Sequence, residues 1–171
     1  APHDKDPYQH RVQCAVVSGN GYGKMTGSVQ IDELGELESP IGLTNTISVP
    51  AVMQGLIDNH LTIERPRKQT SVNVLVGETN DGYLSNLAAC AVKPEHVFKA
   101  LAYLSEEVEE GCVGAGTGTS CFGYKGGIGT SSRIVGDYTV GALVQTNYGG
   151  HLDLYGYQLP SGKGTQDTGK D

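Results

Sequence analysis

The chain has no tryptophan, two phenylalanines and two methionines. Its core must therefore come from Val, Ile, Leu, Ala and the nine tyrosines rather than from large aromatic rings. No apolar run approaches the roughly 20 residues a membrane-crossing helix needs. Positive charge is scarce: 12 Lys and Arg face 19 Asp and Glu, for a net charge of −7. That balance speaks against nucleic acid or an anionic membrane as a partner, since both call for basic clusters. The one such cluster, Arg65-Pro66-Arg67-Lys68, is short and reads as a solvated loop. The four cysteines (Cys14, Cys90, Cys112, Cys121) form no C-x-x-C, and no two of the five histidines are four residues apart. No metal site or other cofactor is expected. A chain of this length buries a core without disulfides, so reduced, buried cysteines are expected. The stretch Ala1-Pro2-His3-Asp4-Lys5-Asp6 lacks the apolar region of a secretory leader, which points to a soluble, cytoplasmic protein whose start reads as incomplete.

What is present in excess is glycine, 25 of 171 residues, about twice ordinary usage. It follows no three-residue period, which excludes collagen. At 37% hydrophobic and 18% charged the chain is globular, and its length suits a single domain over residues 1–171.

Strands are expected over residues 12–18, 29–34, 40–46 and 72–76, from β-branched content and alternation. Ser48 and Pro50 suit the start of a helix whose inner stripe is Val49, Val52, Met53, Leu56 and Ile57. A second helix is expected from about Pro94 to about Val108, with Val97, Ala100, Leu101 and Leu104 inward. A glycine-dense block follows at 111–129. Two strands are then expected over Ile134–Gln145, meeting at Gly136-Asp137, with one more over 151–158. Residues 160–171 are polar and without periodicity, as in a flexible loop. The sum is an α+β protein, helices packed on mixed or antiparallel sheets.

The run Gly114-Ala115-Gly116-Thr117-Gly118 is no P-loop, for Lys125 lacks a following hydroxyl residue, and no Rossmann loop, for an acidic helix end precedes it. There is no G-x-S-x-G elbow and no Cys/His protease pattern. No complete catalytic set is visible. Dense glycine, however, exposes backbone N–H groups that can bind anions or oxyanions.

Several stretches together resemble one family. GCVGAGTG at 111–118 and CFGYKGGIGTSSR at 121–133, with GNGYGKMTG at 19–27, IGLTNTIS at 41–48, GETNDGYLSN at 77–86 and YTVGALVQTNYG at 138–149, are similar to the L-aminopeptidase/D-esterase family. This group of self-processing N-terminal serine hydrolases includes the β-peptidyl aminopeptidases. The resemblance covers most of residues 13–150. It implies an αββα sandwich like that of the Ntn hydrolases, made as a precursor that cuts itself to free a nucleophilic serine. It also implies that this chain is the large subunit or a piece of it, with 160–171 near the cut. The serine would begin a smaller partner subunit, and the substrate would be a short peptide or an amino-acid amide or ester. Tetramers of the two-subunit unit are implied as well.

By the same resemblance Asn147 is the oxyanion-hole asparagine. Tyr83 would add a second donor or orient the nucleophile. An aminopeptidase must also hold a free ammonium. Glu78 is the first candidate and Asp81 the second, although Asn80-Asp81-Gly82 is also ordinary turn chemistry. Asn45 would line the same pocket or make a structural hydrogen bond. Gly114, Gly116 and Gly118 would let backbone pack closely near the site. An ornithine-acetyltransferase-like enzyme, which uses threonine, is the nearest rival, and a non-catalytic ligand-binding relative is a second.

Overall fold

The computed structural model describes residues 5–66 and 70–160. They fall into two units, one running to Glu78 and taking in Ala88–Ser105, the other comprising Thr79–Leu87 and the chain from Glu106 on.

The first unit contains β1 (Val12–Gln13), β2 (Met25–Thr26), α1 (Ser28–Leu34), β3 (Glu36–Leu37), β4 (Ile41–Asn45), α2 (Val49–Thr62), β5 (Leu75–Thr79) and α3 (Pro94–Ala102). β1 pairs antiparallel with β3, Val12 opposite Leu37. β5 is the middle strand of a three-stranded sheet in the order β2-β5-β4, with Met25 opposite Gly77. Its central place explains why Leu75, Val76 and Gly77 are all buried. The strand runs from 75 to 79 rather than over the expected 72–76.

Residues 29–34 are helix, not the expected strand. Gly27 (φ 92) and Gly35 (φ 67) bracket α1, and the Gly35 N–H closes onto the Ile31 carbonyl. Six residues are too few to separate a period of two from 3.6, and only Ile31 is buried. Of the strand expected over 12–18, only Val12–Gln13 joins a ladder.

α2 matches expectation. Pro50 lies in its first turn and Ser48 at its N-cap, though the Ser48 hydroxyl makes no capping bond. Val49, Val52 and Leu56 of α2 form the main core with Val74, Val76 and Val97, and Met53, Ile57 and Leu101 pack at its edge. α3 stops at Ala102, where the Tyr103 N–H bonds the Lys99 carbonyl, well short of Val108. The following Glu106, Glu107, Glu109 and Glu110 would place like charge at the negative end of the helix dipole. Ala100 and Leu104, expected inward, are exposed.

Arg65 departs from the expected solvated loop. Its guanidinium is buried, with Nε 2.6 Å and Nη2 2.9 Å from the two Asp6 carboxylate oxygens and Nη1 2.8 Å from the His60 carbonyl. The Arg65 hydrogen bonds, outweighing burial, hold the Asp6 carboxyl down at about 2. Arg67 and Lys68 lie outside the described residues.

The second unit contains β6 (Ser120–Cys121), β7 (Tyr124–Lys125), β8 (Ile128–Val135), β9 (Tyr138–Gln145), β10 (Asp153–Leu154) and β11 (Tyr157–Gln158). β8 and β9 form an eight-pair antiparallel hairpin turning at Gly136-Asp137 as expected, with β8 beginning earlier than Ile134. Residues 151–158 make two short strands instead of one. Tyr155 (φ 55) and Gly156 (φ 84) reverse the chain between them. None of the four cysteines is disulfide-bonded, but Cys14 and Cys121 are only half-buried and Cys90 and Cys112 are exposed, rather than buried as expected. Among the described residues no helix is long and apolar enough to cross a membrane. The tail expected over 160–171 lies, past Pro160, outside the described residues.

Candidate functional site

In the first unit the C-terminal end of β5 carries Glu78 into the interior, where its side chain is 5% exposed. Oε1 accepts the Lys24 backbone N–H at 3.1 Å and lies 3.4 Å from the Lys24 ammonium. Nζ of Lys24 also donates to Thr46 Oγ1 at 2.7 Å. Oε2 of Glu78 is buried with no hydrogen-bond partner among the described residues. A buried carboxylate oxygen left open costs free energy that a cationic donor can recover. Asn45 stands next to Thr46, half-buried at the end of β4. Thus two of the residues singled out from the sequence, Glu78 and Asn45, fall in this unit. Lys24 was not singled out. Its only signal was a lysine inside the glycine turn GNGYGKMTG.

In the second unit Asn147 follows β9 and is pinned at both ends of its amide. Oδ1 accepts the Asn80 N–H at 2.7 Å and Nδ2 donates to the Ser120 carbonyl at 3.0 Å. An amide nitrogen has two hydrogens, so one remains for another acceptor. Asn80 in turn accepts the Gly82 N–H at 2.8 Å through Oδ1, the expected turn chemistry. The Asp81 carbonyl accepts from Leu84 and Ser85, which makes 80–85 a compact loop. Tyr83 rides on that loop, 60% exposed, whereas Asp81 is buried.

Glycine closes this unit tightly. A Cβ on Gly118 would come within 2.3 Å of Ser85 Oγ and 2.8 Å of Asp81 Cβ, so the 80–85 loop can only rest on bare backbone there. One on Gly116 would come within 2.9 Å of Gly127 and 2.8 Å of the Ile128 nitrogen. Gly114, by contrast, has nothing within 4 Å of such a Cβ. Lys125 Nζ donates to the carbonyls of Gly116 at 2.9 Å and Gly126 at 2.6 Å. Gln145 Nε2 donates to Thr79 Oγ1 and to the Ala115 carbonyl. Lys125 and Gln145 were missed as supports because nothing in a linear pattern marks a side chain that bonds backbone carbonyls. Burial pushes the Cys121 thiol up, which keeps it in its unreactive protonated form. Among the described residues no group of three metal-ligating side chains comes together.

This chain is similar to solved structures over most of its length. The L-aminopeptidase D-Ala-esterase/amidase of Ochrobactrum anthropi, described as a variant of the Ntn hydrolase fold, superposes with a TM-score of 0.78 at 34% identity, over 85% of this chain and 43% of that one. The PH0078 protein of Pyrococcus horikoshii OT3 superposes with a TM-score of 0.82 at 45% identity, over 87% of this chain and 44% of that one. The fold is therefore an α+β fold of the Ntn-hydrolase type. The β-peptidyl aminopeptidase BapA of Sphingosinicella microcystinivorans is 38% identical over 165 residues, 87% of this chain and 41% of the relative. The model of peptidase family S58 matches residues 1–170, and the chain belongs to that family. It spans about two fifths of the length of the curated relatives it matches.

Proposed function

We propose that this chain is the large part of a self-processed serine aminopeptidase that removes N-terminal residues from short peptides, amides or esters. The nucleophilic serine begins a smaller subunit of the same precursor, and two-subunit units assemble into tetramers in the cytoplasm. The observation that carries the reading is Glu78, a buried carboxylate with one oxygen tied to Lys24 and the other open. That is what recognition of a substrate ammonium requires. Asn147 supports it as an amide donor whose orientation is set before any substrate arrives.

In the proposed reaction Glu78 Oε2 accepts the substrate ammonium and so registers the first peptide bond against the nucleophile. The serine Oγ adds to the carbonyl carbon while the serine's own α-amino group, or a neighbouring base, takes its proton. The remaining Asn147 amide hydrogen donates to the oxyanion, and Tyr83 adds a second donor or orients the serine. Collapse breaks the C–N bond, and the leaving amine departs with the proton. Water hydrolyses the resulting ester. Self-processing is the same addition performed internally, an N→O acyl shift followed by hydrolysis.

The test is the intact mass and N-terminal sequence of every chain of the protein expressed from its full-length gene. A second chain beginning with serine is expected. Threonine there would instead indicate an ornithine-acetyltransferase-like acyl transferase. One uncut polypeptide would remove the hydrolase and leave a ligand-binding relative.

A further inference from the structure

The Lys24–Glu78 pair raises a question that ammonium recognition leaves open, namely why a cation already sits on the carboxylate meant to receive one. Lys24 reaches Glu78 Oε1 twice, through its backbone N–H and its ammonium, and never reaches Oε2. The ammonium is itself held from the other side by Thr46 Oγ1. Lys24 is half exposed, so the pair adds little stability by its charges alone. What it does is directional: with both Lys24 donors on one oxygen, the carboxylate cannot turn about its terminal bond without breaking both contacts. The second oxygen stays turned to the same side, buried and open.

We infer that Lys24, held by Thr46, is a positioning residue that fixes Glu78 so that Oε2 alone faces the substrate ammonium, and that it sets the preference for substrates with a free primary amine. The inference rests on the ammonium-binding role of Glu78 proposed above.

Its test uses the full-length, processed protein and two ester substrates that differ only in bearing an α- or β-ammonium or hydrogen at that position. The readout is the ratio of their kcat/KM values. In Lys24→Met the ratio falls about tenfold, the scale of one charge-assisted hydrogen bond, with the loss in KM for the amine substrate. Lys24→Arg restores most of it. Thr46→Val, which keeps both charges and removes the outer anchor, lowers the ratio about threefold by the same reasoning. If Lys24→Met or Thr46→Val slows both substrates alike and leaves the ratio unchanged, Lys24 only supports the fold and the inference is overturned. Glu78→Gln separates the two layers. If it too leaves the ratio unchanged, the ammonium role of Glu78 itself has failed. If it lowers the ratio while Lys24→Met does not, only the role of Lys24 has failed.

Discussion

Asn147 is the residue at which support of the fold and catalysis can be pulled apart most cleanly. Truncation by Asn147→Ala removes the acceptor for the Asn80 N–H (2.7 Å) and the donor to the Ser120 carbonyl (3.0 Å). Two such bonds in a half-buried setting contribute about 1–3 kcal/mol together. That lowers Tm by a few degrees. If the side chain only tied 80–85 to Ser120, that would be the whole effect, and turnover by the surviving folded protein would be unchanged. The proposed oxyanion role adds a second loss. Removing one such donor costs about 10²–10³ in kcat. Asn147→Asp sharpens the contrast. It keeps an acceptor for Asn80 but replaces the donor with negative charge where the oxyanion develops, so turnover should fall at least as far while the Asn80 contact survives. The assay pairs a calorimetric melt with single-turnover kinetics on an activated ester, performed well below each variant's Tm. A folded Asn147→Ala protein with kcat within threefold of wild type would refute the catalytic reading.

Two further predictions concern stability. At the crossing of α2 and α3, an alanine at Gly55 would place its Cβ 2.6 Å from both the Pro94 carbonyl oxygen and Val97 Cγ2. Gly55→Ala should therefore destabilise by about 2 kcal/mol in urea unfolding, overpacking outweighing the better helix propensity; a neutral or stabilising result would mean the helices are free to separate. The Asp6 carboxyl is held at about 2 against an ordinary 3.8. Its pairing with Arg65 thus stabilises the fold above pH 4, and that contribution disappears as pH falls from about 4 towards 2. Wild type should lose about 1–2 kcal/mol more than Asp6→Asn over that interval in pH-dependent urea melts, and parallel pH curves would remove the pair as a contributor.

The sequence by itself determined the features whose signals are local. The amphipathic stripe of Val49, Val52 and Leu56, the Gly136-Asp137 hairpin turn and the Asn80–Gly82 turn need only their own few residues. The glycine motifs carried the family, and at Gly116 and Gly127 backbone approaches backbone too closely for a side chain to fit. Folding decided what depends on distant partners. Residues 28–34 form a helix that buries Ile31 with Leu37 and Leu75, and β5 begins three residues later than expected. Burial beside Asp6, 59 residues away, made Arg65 a structural cation rather than a solvated one. Lys24 lies 54 residues from Glu78. Nothing in the order of residues says that such charges meet, because an ion pair is specified by where the sheet ends bring its partners and not by spacing along the chain.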